Sequence, residues 1–134
     1  MKVLRLEQTD NTPHIQLDLE QKEYLIKGES RPENVSVFYL PLMEWFEEWG
    51  AQLYYRVQQF GEEKHTVKFQ FEYFNSSSAK YIMDIILKIN EINNTHENIK
   101  INIEWLYDEM DEDIKEAGEE FEDLTSVPFT YREL

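Results

Sequence analysis

Three consecutive hydroxyls, Ser76, Ser77 and Ser78, stand where an alternating apolar run stops at Asn75 and a helical pattern begins. Ser, Asn and Asp favour helix starts, because their side-chain oxygens accept from backbone N–H groups that have no partner inside the helix. One such residue is enough for that task. A helix start also favours negative charge, by about 0.3–1 kcal/mol for a surface anion. A serine here is therefore either an ordinary cap or a hydroxyl able to carry a phosphate at low electrostatic cost. As a nucleophile it would need a base and a group to orient that base. Asp108 and Glu109, which follow a later strand, are the candidates for such acid–base work. His65 opens the strand that ends at Asn75, so it lies at the far end from Ser76; His14, His65 and His96 are all expected at the surface. Asp108, Asp111 and Asp113 share only spacing with a calcium loop, which needs a glycine turn and a bidentate glutamate. No metal site or cofactor is expected. Phosphate-cradling glycine loops, dinucleotide fingerprints and glycine-flanked serine elbows are absent. So is cysteine, which excludes disulfides, thiol catalysis and thiolate metal sites.

The elements that position these groups follow from hydrophobic period. Val67, Phe69, Phe71 and Tyr73 alternate with polar residues, as do Ile99, Ile101, Ile103 and Trp105; both runs predict half-buried strands. Between them Ala79, Ile82, Met83, Ile86, Ile89 and Ile92 or Asn93 recur at helical spacing, so a helix is expected from Ser77 or Ser78 to about Asn93. Strand, helix, strand over some forty residues predicts a right-handed parallel crossover. The serine turn and the Tyr107-Asp108-Glu109 loop then both lie beyond the carboxyl ends of strands, where functional groups gather in open α/β sheets. Upstream, Val3–Glu7 and His14–Leu19 are strand candidates, and Glu23–Gly28 completes a hairpin with the second. Ser30 and Glu33 have the spacing of a capping box. It would start a helix that buries Val35, Phe38, Leu42, Trp45, Phe46, Trp49 and Leu53, with Pro41 as a kink or a restart. A third helix is expected from about Asp111 through Phe121, and Pro128–Tyr131 as a short extended segment. The sum is one α/β domain over residues 1–134, a mixed central sheet packed by about three helices, with no repeat and no linker.

Charge bounds the partners. The chain has 134 residues and net charge −15. From Glu104 to Asp123 there are eleven acids and a single base, Lys115. Such a surface repels phosphate backbones and anionic membranes, so neither nucleic acid nor membrane is an expected partner. It is either a solvated face or a docking surface for a basic partner. With no long apolar segment at the N-terminus and none of membrane-spanning length, a cytoplasmic location is expected.

Four blocks in order carry a family resemblance over nearly the whole chain. They are Thr12-Pro13-His14-Ile15 with Leu17-Asp18; Gly28-Glu29-Ser30-Arg31-Pro32-Glu33-Asn34; Phe71 to Lys80; and Trp105, Tyr107-Asp108, Asp111-Glu112-Asp113 with Glu116-Ala117-Gly118-Glu119-Glu120-Phe121. Together they resemble the SiaC-type regulatory phosphoproteins of bacteria. The resemblance implies a fold like that of anti-sigma-factor antagonists and a non-enzymatic switch. It further implies a serine/threonine kinase of the histidine-kinase-like ATPase type and a PP2C-type phosphatase. The unphosphorylated form would engage a target such as a diguanylate cyclase, in cyclic-di-GMP and biofilm signalling. The family's acceptor follows the asparagine and is commonly threonine; here that position is Ser76, with Ser77 as competitor. Asn75, Ser77, Ser78, Lys80, Asp108, Asp111, Glu112 and Glu116 are the expected partner contacts, and phosphate is expected to release the target. Two rivals stand beside this reading: a hydrolase using Ser76 with Asp108 and Glu109, and a constitutive scaffold. Oligomeric state is left open.

Overall fold

The computed structural model describes all 134 residues. Strand β1 (Leu4–Leu6), β2 (His14–Asp18) and β3 (Glu23–Ser30) form an antiparallel meander. Three crossovers follow. Helix α1 (Val35–Phe60) leads to β4 (Glu63–Phe74), α2 (Ser76–Asn93) to β5 (Ile99–Tyr107), and α3 (Glu112–Thr125) to β6 (Thr130–Glu133). Strands β3 to β6 are mutually parallel, and the six strands lie in chain order across one sheet. Each crossover steps one strand in the same direction. With the right-handed rule, all three helices then fall on one face. Burial agrees: Ile15, Ile26, Val67, Phe69, Ile103 and Trp105 on that face join the helix residues in a single core of 26 buried side chains. Both expected alternating strands, the α2 stripe and their parallel pairing are present, with β4 starting earlier than its apolar run.

Several local expectations are corrected. Ser30 does not start α1. It is the last residue of β3 and fully buried, and the helix is capped by Asn34, whose side chain accepts from the Val37 N–H. Asn34 outcompetes the capping box because β3 extends through Ser30, leaving the serine no freedom to cap. Helix α1 runs unbroken through Pro41. The proline sits in the second turn, so the carbonyl deprived of a partner is that of Val37, an exposed residue that water can serve. Helix α2 begins at Ser76, earlier than expected, because Asn75 takes the cap position. His65 is not at the surface: it is 5% exposed and lies inside the core.

Two glycines matter to this architecture. Gly28, at φ +114°, opens a bulge against β4 that shifts the pairing so that Ser30 aligns with Phe74. Gly118 lets α3 settle on Trp105: a Cβ there would stand 2.7 Å from the indole ring. The indole N–H also donates to the Ile114 carbonyl at 2.9 Å, which pins the helix to β5.

Candidate functional site

The carboxyl ends of β3, β4 and β5 lie at one end of the sheet, so the starts of α1, α2 and α3 cluster there. Asn75 closes the turn. Its side-chain oxygen accepts from the Ser78 N–H at 2.9 Å, and its own N–H donates to the Ser30 carbonyl at 3.0 Å. Ser78 is fully buried beneath it. A directed chain of hydroxyls runs through this point. Tyr39 lies 2.6 Å from the Ser30 hydroxyl, Ser30 donates to the Ser78 hydroxyl at 2.8 Å, and Ser78 donates back to the Ser30 carbonyl at 3.0 Å. Burial pushes the Tyr39 phenol up to about 12, so it stays protonated and can donate into the chain. The tyrosine ring also stacks on Tyr81 of α2, with centroids 5.4 Å apart. The start of α2 is thereby tied to both β3 and α1.

The three serines separate cleanly. Ser78 serves the fold, and its burial removes it from the expected partner contacts. Ser76 and Ser77, the first two residues of the helix, are exposed, and neither hydroxyl has a hydrogen-bond partner within the chain. Lys80 follows Ser76 by one helical turn, is exposed and makes no ion pair. It borders a small apolar groove of about 190 Å³ between α2 and α3, walled by Phe74, Met83, Ala117, Phe121 and Leu124.

The neighbouring acidic loop is built from caps. Asp108 accepts from the Met110 N–H at 2.9 Å, and Asp111 caps α3 by accepting from the Ile114 N–H at 3.1 Å. These bonds account for their spacing without a metal. Glu109, Glu112 and Glu116 are exposed, and Glu120 edges the groove. Strands β4 and β5 are adjacent, so the serine turn and this loop are side by side, as expected. No carboxylate is within hydrogen-bonding reach of Ser76. His65 is nine strand residues away from the turn, about 30 Å. The hydrolase constellation is therefore not assembled.

Sequence reasoning missed Ser30, Tyr39 and the groove. A signal for Ser30 existed: it shares strand parity with Tyr24, Ile26 and Gly28, all on the buried face. Exposed apolar side chains at this end were also missed. Val37 and Leu40 in the first turns of α1, Tyr73 at the end of β4 and Met110 before α3 are 66%, 57%, 49% and 86% exposed.

The fold and site define a small α/β domain whose accessible hydroxyls stand on a surface beside an apolar groove, not at the bottom of a cleft. The chain belongs to the SiaC family, described as regulatory phosphoproteins, which it matches over residues 6–134. It is 29% identical over 130 residues to an uncharacterized protein of Pseudomonas aeruginosa strain UCBPP-PA14, covering 96% of this chain and 94% of that one. The crystal structure of apo-SiaC from Pseudomonas aeruginosa superposes with a TM-score of 0.80 at 27% identity, over 98% of this chain and 99% of that one. The crystal structure of the diguanylate cyclase SiaD in complex with its activator SiaC, from the same organism, gives 0.82 at 27% identity over the same shares. No helix is long and apolar enough to cross a membrane.

Proposed function

We propose that this chain is a non-enzymatic switch in the cytoplasm, whose unphosphorylated form binds and activates a diguanylate cyclase and whose phosphorylation on Ser76 releases it. The observation that carries the reading is the sorting of the serines: Ser78 is locked into the fold while Ser76, with Ser77 beside it, is offered unpaired to solvent. The solved complex of SiaC with a diguanylate cyclase supports the choice of target. Exposed Val37, Leu40, Tyr73 and Met110 around the turn supply apolar contact area for such a partner, of the kind interface centres use. The acids Asp108, Glu109, Asp111, Glu112 and Glu116 supply charge that favours a basic rim on the partner and a salt-dependent on-rate.

Phosphate adds a charge of about −1.5 to −2 beside that acidic loop. Within the chain the group is well placed, at a helix start and one turn from the free Lys80 ammonium. A target packed on bare Ser76 would have to take up the charge and its hydration. The writer is a serine/threonine kinase of the histidine-kinase-like ATPase type and the eraser a PP2C-type phosphatase. The experiment is calorimetric titration of the cyclase with unmodified and kinase-treated protein, the phosphate being mapped by mass spectrometry. Phosphate falls on Ser76, or on Ser77 in the Ser76→Ala variant, and weakens binding about a hundredfold, a change of about 3 kcal/mol. Equal or tighter binding by the phosphoprotein refutes release.

A further inference from the structure

The three helices leave the opposite face of the sheet bare, and that face has the wrong sign for this protein. Lys64, Thr66 and Lys68 of β4 point away from the core, as does Lys100 of β5. With Arg5, Lys22 and Arg132 they line an open depression of about 1350 Å³. Six of the 13 Lys and Arg residues lie there, against only two of the 28 acids, Glu23 and Glu104. A chain of net charge −15 thus carries a local excess of positive charge on one surface.

The charges are only partly neutralised from within. Arg5 hydrogen-bonds only the neutral Gln16 side chain, at 2.7 Å. Lys22, Lys68 and Lys100 make no ion pair, and Lys64 meets only Glu62, at 3.5 Å on the exposed rim. Lys64 and Lys100 stand directly opposite one another in the β4–β5 register, an arrangement that costs stability between like charges. The floor holds the reverse problem. Glu104, paired in register with Lys68, is buried to 12% side-chain exposure, and its Oε1 has no hydrogen bond. The nearest cation, Arg132, is 3.7 Å away. Three ammonium groups without an ion pair, Lys22, Lys68 and Lys100, around a buried acceptor that has a long ion pair but no hydrogen bond fit a ligand that brings both anionic oxygens and an N–H.

The surroundings narrow the class. Only three of its 17 residues are hydrophobic, too few to anchor a peptide by buried apolar contacts. A long polyanion would also run off the basic patch onto the acidic remainder of the surface. We propose that the bare sheet face binds a nucleoside di- or triphosphate, with its phosphates on Lys64, Lys68 and Lys100 and a base N–H on Glu104. The site is separate from the serine turn and does not depend on the switch reading.

The test is calorimetry on the full-length protein with ATP, GTP and inorganic tripolyphosphate as probes, and a glutamate decapeptide as a macromolecular competitor. At least one nucleotide binds at one per chain and more tightly than tripolyphosphate. The double variant Lys68→Glu, Lys100→Glu, which alters exposed side chains only, weakens binding about tenfold or more for every phosphate probe. Glu104→Gln weakens the nucleotide but not tripolyphosphate, and this contrast separates base recognition from plain charge attraction. No binding by either nucleotide at millimolar concentration overturns the proposal. So does binding that survives the double variant. Tripolyphosphate binding as tightly as both nucleotides removes the base contact, and tighter binding of the decapeptide makes the face a dock for an acidic protein segment instead.

Discussion

Strand β4 carries a buried polar network at each end, and the two are finished differently. At its amino end the Trp49 indole N–H donates to the Tyr24 oxygen at 3.2 Å, and Tyr24 lies 2.9 Å from His65 Nδ1. His65 Nε2 lies 3.1 Å from Glu63 Oε1, which also accepts from Arg56 Nε at 2.9 Å. Each donor has one acceptor, so the arrangement specifies a neutral imidazole with its proton on Nε2, and nothing is left over. Burial pushes the Tyr24 phenol up, which keeps it a donor. At the carboxyl end the Tyr39–Ser30–Ser78 chain is just as complete, but it ends at Ser78, one residue from the exposed Ser77. Ser76 and Ser77 continue the serine run into water. Residue type alone does not separate structure from site here; the count of satisfied hydrogen bonds does.

The amino-end network is the more costly to break. Glu63 is 4% exposed and holds both Arg56 and His65. Glu63→Ala leaves a half-buried guanidinium and an imidazole N–H without their acceptor, at a cost of about 2–4 kcal/mol. Urea unfolding measures this as a lower midpoint at unchanged slope. A loss too small to resolve would show that water replaces the carboxylate, and that this end is no more closed than the other.

Acid probes the same end more gently. Burial holds the His65 pKa below its ordinary 6.5, outweighing the hydrogen bond to Glu63. The unfolded chain therefore binds a proton that the folded chain resists, and stability falls as pH drops from about 6.5 toward the folded value. Burial alone would raise Glu63, but the bonds from Arg56 and His65 prevail and hold it below 4.5, so its own loss begins only at lower pH. Stability measured between about pH 7.5 and 5.5 declines in the wild type and declines less in His65→Gln. Identical slopes would mean that another group titrates.

At the carboxyl end, Ser78→Ala removes the donor to the Ser30 carbonyl and the acceptor for the Ser30 hydroxyl. Each bond is modest in net worth, so the loss is about 1–2 kcal/mol. Phosphate incorporation by the kinase persists in that variant, because the exposed hydroxyls are untouched. If incorporation vanishes while the fold survives, Ser78 is part of the site after all and the division between locked and offered serines fails.

Much of this was legible in the chain. The period-two runs of β4 and β5 and the apolar stripe of α2 are strong because each faces a single core, and together they place the serine turn beside the acidic loop. Short polar elements were harder. Ser30 fits a capping box by spacing, and only the length of β3 decides against it. His65 has the same strand parity as Val67, Phe69 and Phe71, which points inward. Glu63, two residues earlier on the same strand, shares that parity; what the sequence does not display is that Tyr24 waits there too, since it meets His65 only through the β3–β4 pairing. The basic sheet face was hidden for a related reason. Its lysines are the ordinary polar halves of alternating strands, and net charge averages them away; they become a surface only because three successive crossovers put every helix on the other side.

The smallest effect sharpens the comparison most directly at the turn itself. Helix α3 begins with Glu112 and Asp113, whereas the first turn of α2 contains no acid and its last turn no base. The dipole of α2 is therefore uncompensated at the end where the exposed serines stand. Ser76→Asp puts one carboxylate at the first helical position, one turn from Lys80, and raises stability by about 0.5 kcal/mol at low ionic strength. Opposing this are Asp108 and Asp111, across the neighbouring strand end, whose repulsion reaches over about a Debye length of 8–10 Å. Salt separates the two contributions only by sign: a net gain shrinks as salt is added, and a net loss shrinks as well, toward zero from the other side. The readout is thermal unfolding of wild type and Ser76→Asp at two salt concentrations. A higher melting temperature that converges with wild type in high salt shows a helix start poised to hold an anion. A lower one shows that the acidic loop dominates the turn, and then phosphate would disturb the domain as well as its partner.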